Sequence, residues 1–273
     1  MNFFDRKNRI LLKELIKTDF KLRYQGSAIG YLWSILKPLL LFVVMYLVFV
    51  KFLKFGGAIP HFAVALLLGV TIWNFFSEST IIGMVSIVNR GDLLRKISFS
   101  NSVIIFSVVS NAFINLLISL VVVIIFAIIN AVQFNWTIIF VFPLLIELLL
   151  LTAGVALLLS TVYVYFRDLS PVWDVVMQAA FYATPIIYPI TEILNRGGEW
   201  ASLVSKIILL NPMSQIIQDM RYILTFSENT NPTVWQMIDS PIIVSIPYIL
   251  SILIFVFGFW VFNKKSNQFA EVV

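Results

Sequence analysis

Apolar residues fall in long uninterrupted runs separated by short polar stretches. The runs predict six membrane-spanning helices, near residues 34–53, 61–83, 102–130, 137–165, 172–190 and 241–262. A helix of about 20 residues crosses the hydrocarbon core. The third and fourth runs exceed that length, which predicts tilt or projection into water. A membrane β-barrel would alternate apolar and polar positions instead. The expected fold is all-α and integral to the membrane, with six transmembrane helices per subunit.

The polar stretches carry their own pattern. Residues 1–33 are charged and contain no apolar core of signal-peptide type, so the first span is expected to be an uncleaved anchor. Within residues 10–24, Leu12, Leu15, Ile16 and Phe20 share one helical face and Lys13, Glu14, Lys17 and Lys21 take much of the rest. This predicts an amphipathic helix lying in the cytoplasmic interface, as an anchor, as a docking element, or as both. Residues 191–240 are mixed: an apolar segment over 200–210, then Asn211-Pro212, then a helical pattern over 213–224. Each piece is too short to span, which predicts an external segment of re-entrant or interfacial helices. The division expected is thus 1–33 cytoplasmic, 34–190 spans one to five, 191–240 external, 241–262 the sixth span and 263–273 a cytoplasmic tail.

Composition agrees with this and removes function classes. Apolar residues make up 60% and charged residues 12%, about half the charge of a soluble domain. The absence of cysteine excludes thiolate catalysis and thiolate metal sites, and one histidine, His61, cannot form a relay. There is no HExxH, no GxSxG, no pair of aspartates inside a span and no GxxxxGK[ST] phosphate loop. The chain therefore reads as no enzyme and needs no cofactor of its own, and nothing points to nucleic acid. A membrane-embedded transferase would need acidic or histidine clusters at the membrane face. No repeat is visible, whereas secondary transporters commonly contain two related halves.

Charge sets orientation. Of 19 Lys and Arg, 14 lie on one side of the six-span scheme: eight up to Lys37, then Arg90, Arg95, Lys96, Arg167, Lys264 and Lys265. Lys51, Lys54, Arg196, Lys206 and Arg221 remain for the other. Both termini are expected in the cytoplasm.

The most specific pattern precedes the first span. Residues 20–40 read FKLRYQGSAIGYLWSILKPLL, with Arg23-Tyr24, Gly26-Ser27, Gly30, Leu32-Trp33 and Pro38 as a set. This resembles the permease subunit of type-2 ABC exporters of lipid-linked polysaccharides, including O-antigen, capsule, teichoic acid and rhamnose-containing wall polysaccharides. Matches continue in order: GVTIWNFF at 69–76, FRDLSP at 166–171, Pro185-Ile186-Ile187-Tyr188, and Asn211-Pro212-Met213 with Arg221. After the second span many members carry Phe-Pro-Arg or a similar triplet, whereas residues 93–102 read LLRKISFSNS, without the proline. The nearest fit is to the Gram-positive rhamnose-polysaccharide branch. The resemblance implies a homodimer in the bacterial cell membrane, in contact with membrane lipids. It also implies two copies of a cytoplasmic ATP-binding subunit, which would hold ATP and Mg. The substrate would be a polyprenyl-diphosphate-linked polysaccharide moving outward. The alternative is a type-2 exporter of a small hydrophobic compound or lipid.

Three groups of candidate residues follow. At the cytoplasmic entrance, Gly26, Ser27 and Gly30 either pack closely or form a gate. Nearby Arg23, Lys37 and Arg167 either snorkel to headgroups or bind the diphosphate, which arginine recognises bidentately. Along the spans, Phe42, Tyr46, Phe49, Trp73, Phe76, Phe181, Tyr182 and Tyr188 either pack or line a path on which sugar rings stack. For coupling, residues 86–98, with Asp92, Arg95 and Lys96, are expected to form a short helix seated in an ATPase cleft, assisted by Lys13, Glu14 and Lys17. Glu147 should face protein or water, or be protonated. Glu78 has the same ambiguity, and His61 reads as interfacial.

Overall fold

The computed structural model describes residues 5–24, 30–52, 61–225 and 232–272. Gly26, Ser27 and Lys54 lie outside them. Helix α1, Arg6–Tyr24, begins a turn before the expected amphipathic stretch. After a 3-10 turn at Gly30–Leu32 comes α2, Trp33–Met45, which continues as a π-helix over Tyr46–Phe52. Helices α3 (Phe62–Asn89), α4 (Gly91–Lys96), α5 (Ser102–Ile129) and α6 (Val141–Tyr165) follow. The chain continues through α7 (Leu169–Ala183), α8 (Ile190–Arg196), α9 (Ala201–Leu209), α10 (Pro212–Thr225) and α11 (Val234–Met237). It ends with α12 (Pro241–Lys265) and α13 (Phe269–Val272).

Among the described residues, four helices are long and apolar enough to cross a membrane: α3, α5, α6 with its 3-10 lead-in, and α12. They form the frame. Helix α3 packs between α5 and α6, and α12 runs along α6. The α6–α12 crossing is closest at Gly154 and Gly258, where a Cβ on either residue would strike the backbone of the opposite helix. Absence of a side chain is what lets these backbones meet.

Two helices depart from the expected spans. Helix α3 runs past residue 83 to Asn89, because Met84 and Ile87 are fully buried and extend its packed face. The run over 172–190 is not one helix. Helix α7 has 15 residues, about 22 Å of rise against a core of about 30 Å. Thr184 is extended, with φ −87° and ψ 137°, as a residue preceding proline tends to be.

The segment after α7 folds inward. Helix α10 inserts against α3, α6 and α12, and Gln215, Gln218, Asp219 and Arg221 are all buried. Helices α8, α9, α11 and the start of α12 close over a small core of Ile190, Leu209, Val234, Ile238 and Val244. At the opposite end α1 lies along α5, with Leu11, Leu12 and Leu15 against the main core. The tail helix α13 docks Phe269 edge-on to Phe262, 5.2 Å between rings, and both side chains are fully buried.

Candidate functional site

The N-terminal turns of α2 stand beside α3 and α5 around a cavity of about 620 Å³. Arg23, from the end of α1, and Lys37, one turn into α2, supply its cations. Trp33 adds an aromatic face. Thr71, Asn74 and Ser77 from α3 and Asn115 and Ser119 from α5 supply neutral polar groups. The Arg23 guanidinium donates to Glu78 Oε1, and the two side chains keep 33% and 27% of their surface exposed. A half-exposed ion pair contributes only ~0–1 kcal/mol. Glu78 therefore holds the guanidinium only weakly.

Of the other entrance candidates, Gly30 opens the 3-10 turn with φ +55°, a backbone region glycine enters at little cost. Gly26 and Ser27 fall outside the described residues. Arg167 is exposed at the turn between α6 and α7, and it does not line this cavity.

The aromatic candidates form two groups. Phe42 packs edge-on against Phe126 of α5, 4.6 Å between ring centres, and lies 5.8 Å from Tyr46. Trp73 sits 5.9 Å from Phe76 and 5.8 Å from Phe181, which meets Tyr182 edge-on at 5.5 Å. Phe42, Trp73 and Phe76 are buried, and Tyr46, Phe49, Phe181 and Tyr188 are half-buried. Tyr182 alone of the eight is exposed. The Tyr188 hydroxyl donates to the carbonyls of Tyr182 and Ala183, fastening the break after α7.

The coupling candidates converge on one end. Helix α4 lies in the predicted loop with Asp92, Arg95 and Lys96 all exposed, and Lys13, Glu14 and Lys17 are exposed on α1. Buried Asn8 of α1 accepts from the Ser100 amide just past α4. Further along α1, Asp19 accepts from the Arg90 guanidinium, which also donates to Ser107 at 3.0 Å. Helix α13 also packs against α4.

The sequence profile of the ABC-2 type transporter family matches residues 10–225. The chain belongs to the ABC-2 type transporter family. Two relatives from Klebsiella pneumoniae, each named O-antigen export system permease protein RfbA, are 28% and 27% identical to it over 264 residues, covering 96% of this chain and 95% of theirs. A third of the same name, from Myxococcus xanthus, is 28% identical over 266 residues, 97% of this chain and 96% of its own.

This ABC-2 transporter is thus a membrane protein related along nearly its whole length to permease components. Part of its cavity is not visible in the apolar runs alone. Thr71, Asn74, Ser77 and Glu78 fall on one side of α3, and Asn115 and Ser119 are one turn apart on α5. Polar residues at helical spacing inside an apolar helix are the signal that finds such a surface. The sequence places Arg221 in a motif and among the basic residues of the outer side. It proves fully interior, its Nε donating to Ala65 O at 2.9 Å and its other nitrogens to the carbonyls of Pro185 and Ile186.

Proposed function

We propose that this ABC-2 transporter is the permease subunit of an ATP-driven exporter. It moves a polysaccharide carried on a polyprenyl diphosphate from the cytoplasm to the outer face of a bacterial membrane. Two copies work with two copies of a separate ATP-binding subunit, with both termini in the cytoplasm. The observation that carries this reading is the cavity that sets Arg23 and Lys37 beside Trp33 and a polar stripe. Two cations suit a diphosphate. The stripe suits hydroxyls, and Trp33 suits the C–H face of a sugar. The relatives named for O-antigen export support a sugar chain as substrate. The exposed charges on α1 and α4 suit a soluble partner that hydrolyses ATP.

The test is transport in reconstituted vesicles holding the chain and its partner ATPase, fed with lipid-linked polysaccharide. Arg23→Gln and Lys37→Gln should each lower transport about tenfold or more, the scale of one charge-assisted hydrogen bond, at unchanged complex yield. Unaltered transport by the double variant would overturn the diphosphate assignment. Equal transport of an uncharged lipid would favour the small-lipid alternative.

A further inference from the structure

A second cavity, of about 710 Å³, lies between α6, α10, α11 and α12. Glu147 and Asp219 line it, and each is more than nine-tenths buried. Asp219 Oδ2 accepts from Gln215 Nε2 and from the Tyr248 hydroxyl, both at 2.7 Å, and Tyr248 in turn accepts from Trp235 Nε1 at 2.9 Å. Glu147 Oε1 accepts from Ser251 at 3.1 Å. Asp219 Oδ1, by contrast, is buried with no partner, and so is the hydroxyl oxygen of Thr137, another lining residue. A buried acceptor left without a donor costs about 1–3 kcal/mol. These two atoms are therefore places where a ligand's hydroxyls gain most.

The walls narrow the ligand class. No Lys or Arg lines the cavity among the described residues, so the two carboxyls disfavour an anionic head. Donors and acceptors are mixed, since the Thr137 hydroxyl can give a proton as well as take one, whereas the Tyr248 proton is already given to Asp219. A bare ammonium needs acceptors only, whereas vicinal hydroxyls both give and take protons. Trp235 is 61% exposed. Its helix is fixed by a capping box between Thr233 and Gln236, so the indole is a held stacking face. Exposed Phe140, Ile146 and Ile252 form an apolar lip.

We propose that this cavity binds a neutral sugar residue, with its hydroxyls on Asp219, Glu147 and Thr137 and its apolar face on Trp235. The sugar comes either from a membrane glycolipid whose chain lies on the lip or from the exported polysaccharide. Only the second source rests on the export reading.

The purified full-length chain in lipid nanodiscs would be photolabelled with octyl glucoside, octyl galactoside and octyl rhamnoside, each carrying a diazirine on its alkyl chain, and the sites mapped by peptide mass spectrometry. At least one should label α6 and α12 near Ile146 and Ile252. The parent glycoside should compete, and octyl phosphate should not. Trp235→Ala and Asp219→Asn should each weaken labelling roughly tenfold, and Trp235→Ala keeps the test open if the second variant misfolds. Competition by the free monosaccharide identifies the exported chain as source, and competition only by the alkyl form identifies a glycolipid. The proposal is overturned if none of the three labels the lip. It is equally overturned if octanol or octyltrimethylammonium competes as well as the glycoside, or if both variants label normally. No ATP or transport enters the measurement, so failure here leaves the export reading standing. Failed export in the Arg23 and Lys37 variants likewise leaves this site untouched.

Discussion

Arg221 shows how much one residue can settle. A guanidinium with no water around it needs most of its donors filled. This one meets the carbonyls of Ala65 on α3 and of Pro185 and Ile186 at the break after α7. Those last two carbonyls belong to non-helical backbone that cannot satisfy them locally, so Arg221 and the break stabilise each other. Room for the side chain comes from Gly69, where a Cβ would sit 2.6 Å from Arg221 Nη2. Arg221→Met should cost about 3 kcal/mol or more, since it leaves buried carbonyls without donors. Gly69→Val should also destabilise, by displacing the guanidinium. Because both act on one contact, the double variant should cost clearly less than the two single costs together. Thermal unfolding of the four proteins in detergent closes the cycle, and simple additivity would mean that Gly69 and Arg221 do not share a contact.

Helices were legible where one face is not needed to tell them apart. The runs that became α3, α5, α6 and α12 are long and predominantly apolar, and no soluble packing absorbs them. On α1 the split was also visible: Lys13, Glu14 and Lys17 are exposed, and Leu12 and Leu15 pack inward. Helix α10 was legible as a helix, re-entrant or interfacial, but the sequence did not show which. Gln215, Gln218, Asp219 and Arg221 do not by themselves say whether they face water or protein. Packing against α3, α6, α12 and the break after α7, none of them adjacent in sequence, turns them inward. The α6–α12 contact was hidden for a related reason, since single glycines in long apolar runs do not announce which helix they meet. Gly258→Leu should separate these helices, because its Cβ falls on the Gly154 carbonyl of the partner helix and backbone cannot step aside. Overpacking of this kind costs about 1–3 kcal/mol or more. A matched Phe257→Leu change, at an exposed position one residue away, should leave the melting temperature within error. Equal melting of both variants would mean that the crossing tolerates a wider spacing.

At the scale of the whole molecule, α1 joins the surface proposed for the ATPase to the cavity proposed for the lipid diphosphate. Lys13 and Arg23 are ten residues apart on one helix, about 15 Å of rigid rise. Between them Asp19 takes the Arg90 guanidinium at the end of α3, and Arg90 also reaches Ser107 of α5. Asp19 and Arg23 are one turn apart, so a shift of α1 moves the pin and the cavity cation together. Arg90→Gln removes the charge pairing while leaving Lys13, Glu14, Lys17, Arg95 and Lys96 exposed for the partner. Under the proposed function, this variant should still assemble with the ATPase and hydrolyse ATP. Export should fall severalfold, so that more ATP is consumed per polysaccharide chain moved. Reversing Arg95 and Lys96 to Glu acts one step earlier and should weaken assembly itself. The two defects are separated by measuring complex yield, hydrolysis and export on the same vesicles. If Arg90→Gln lowers hydrolysis and export in equal proportion, α1 is a passive anchor. Motion must then reach the cavity through α4 and α3.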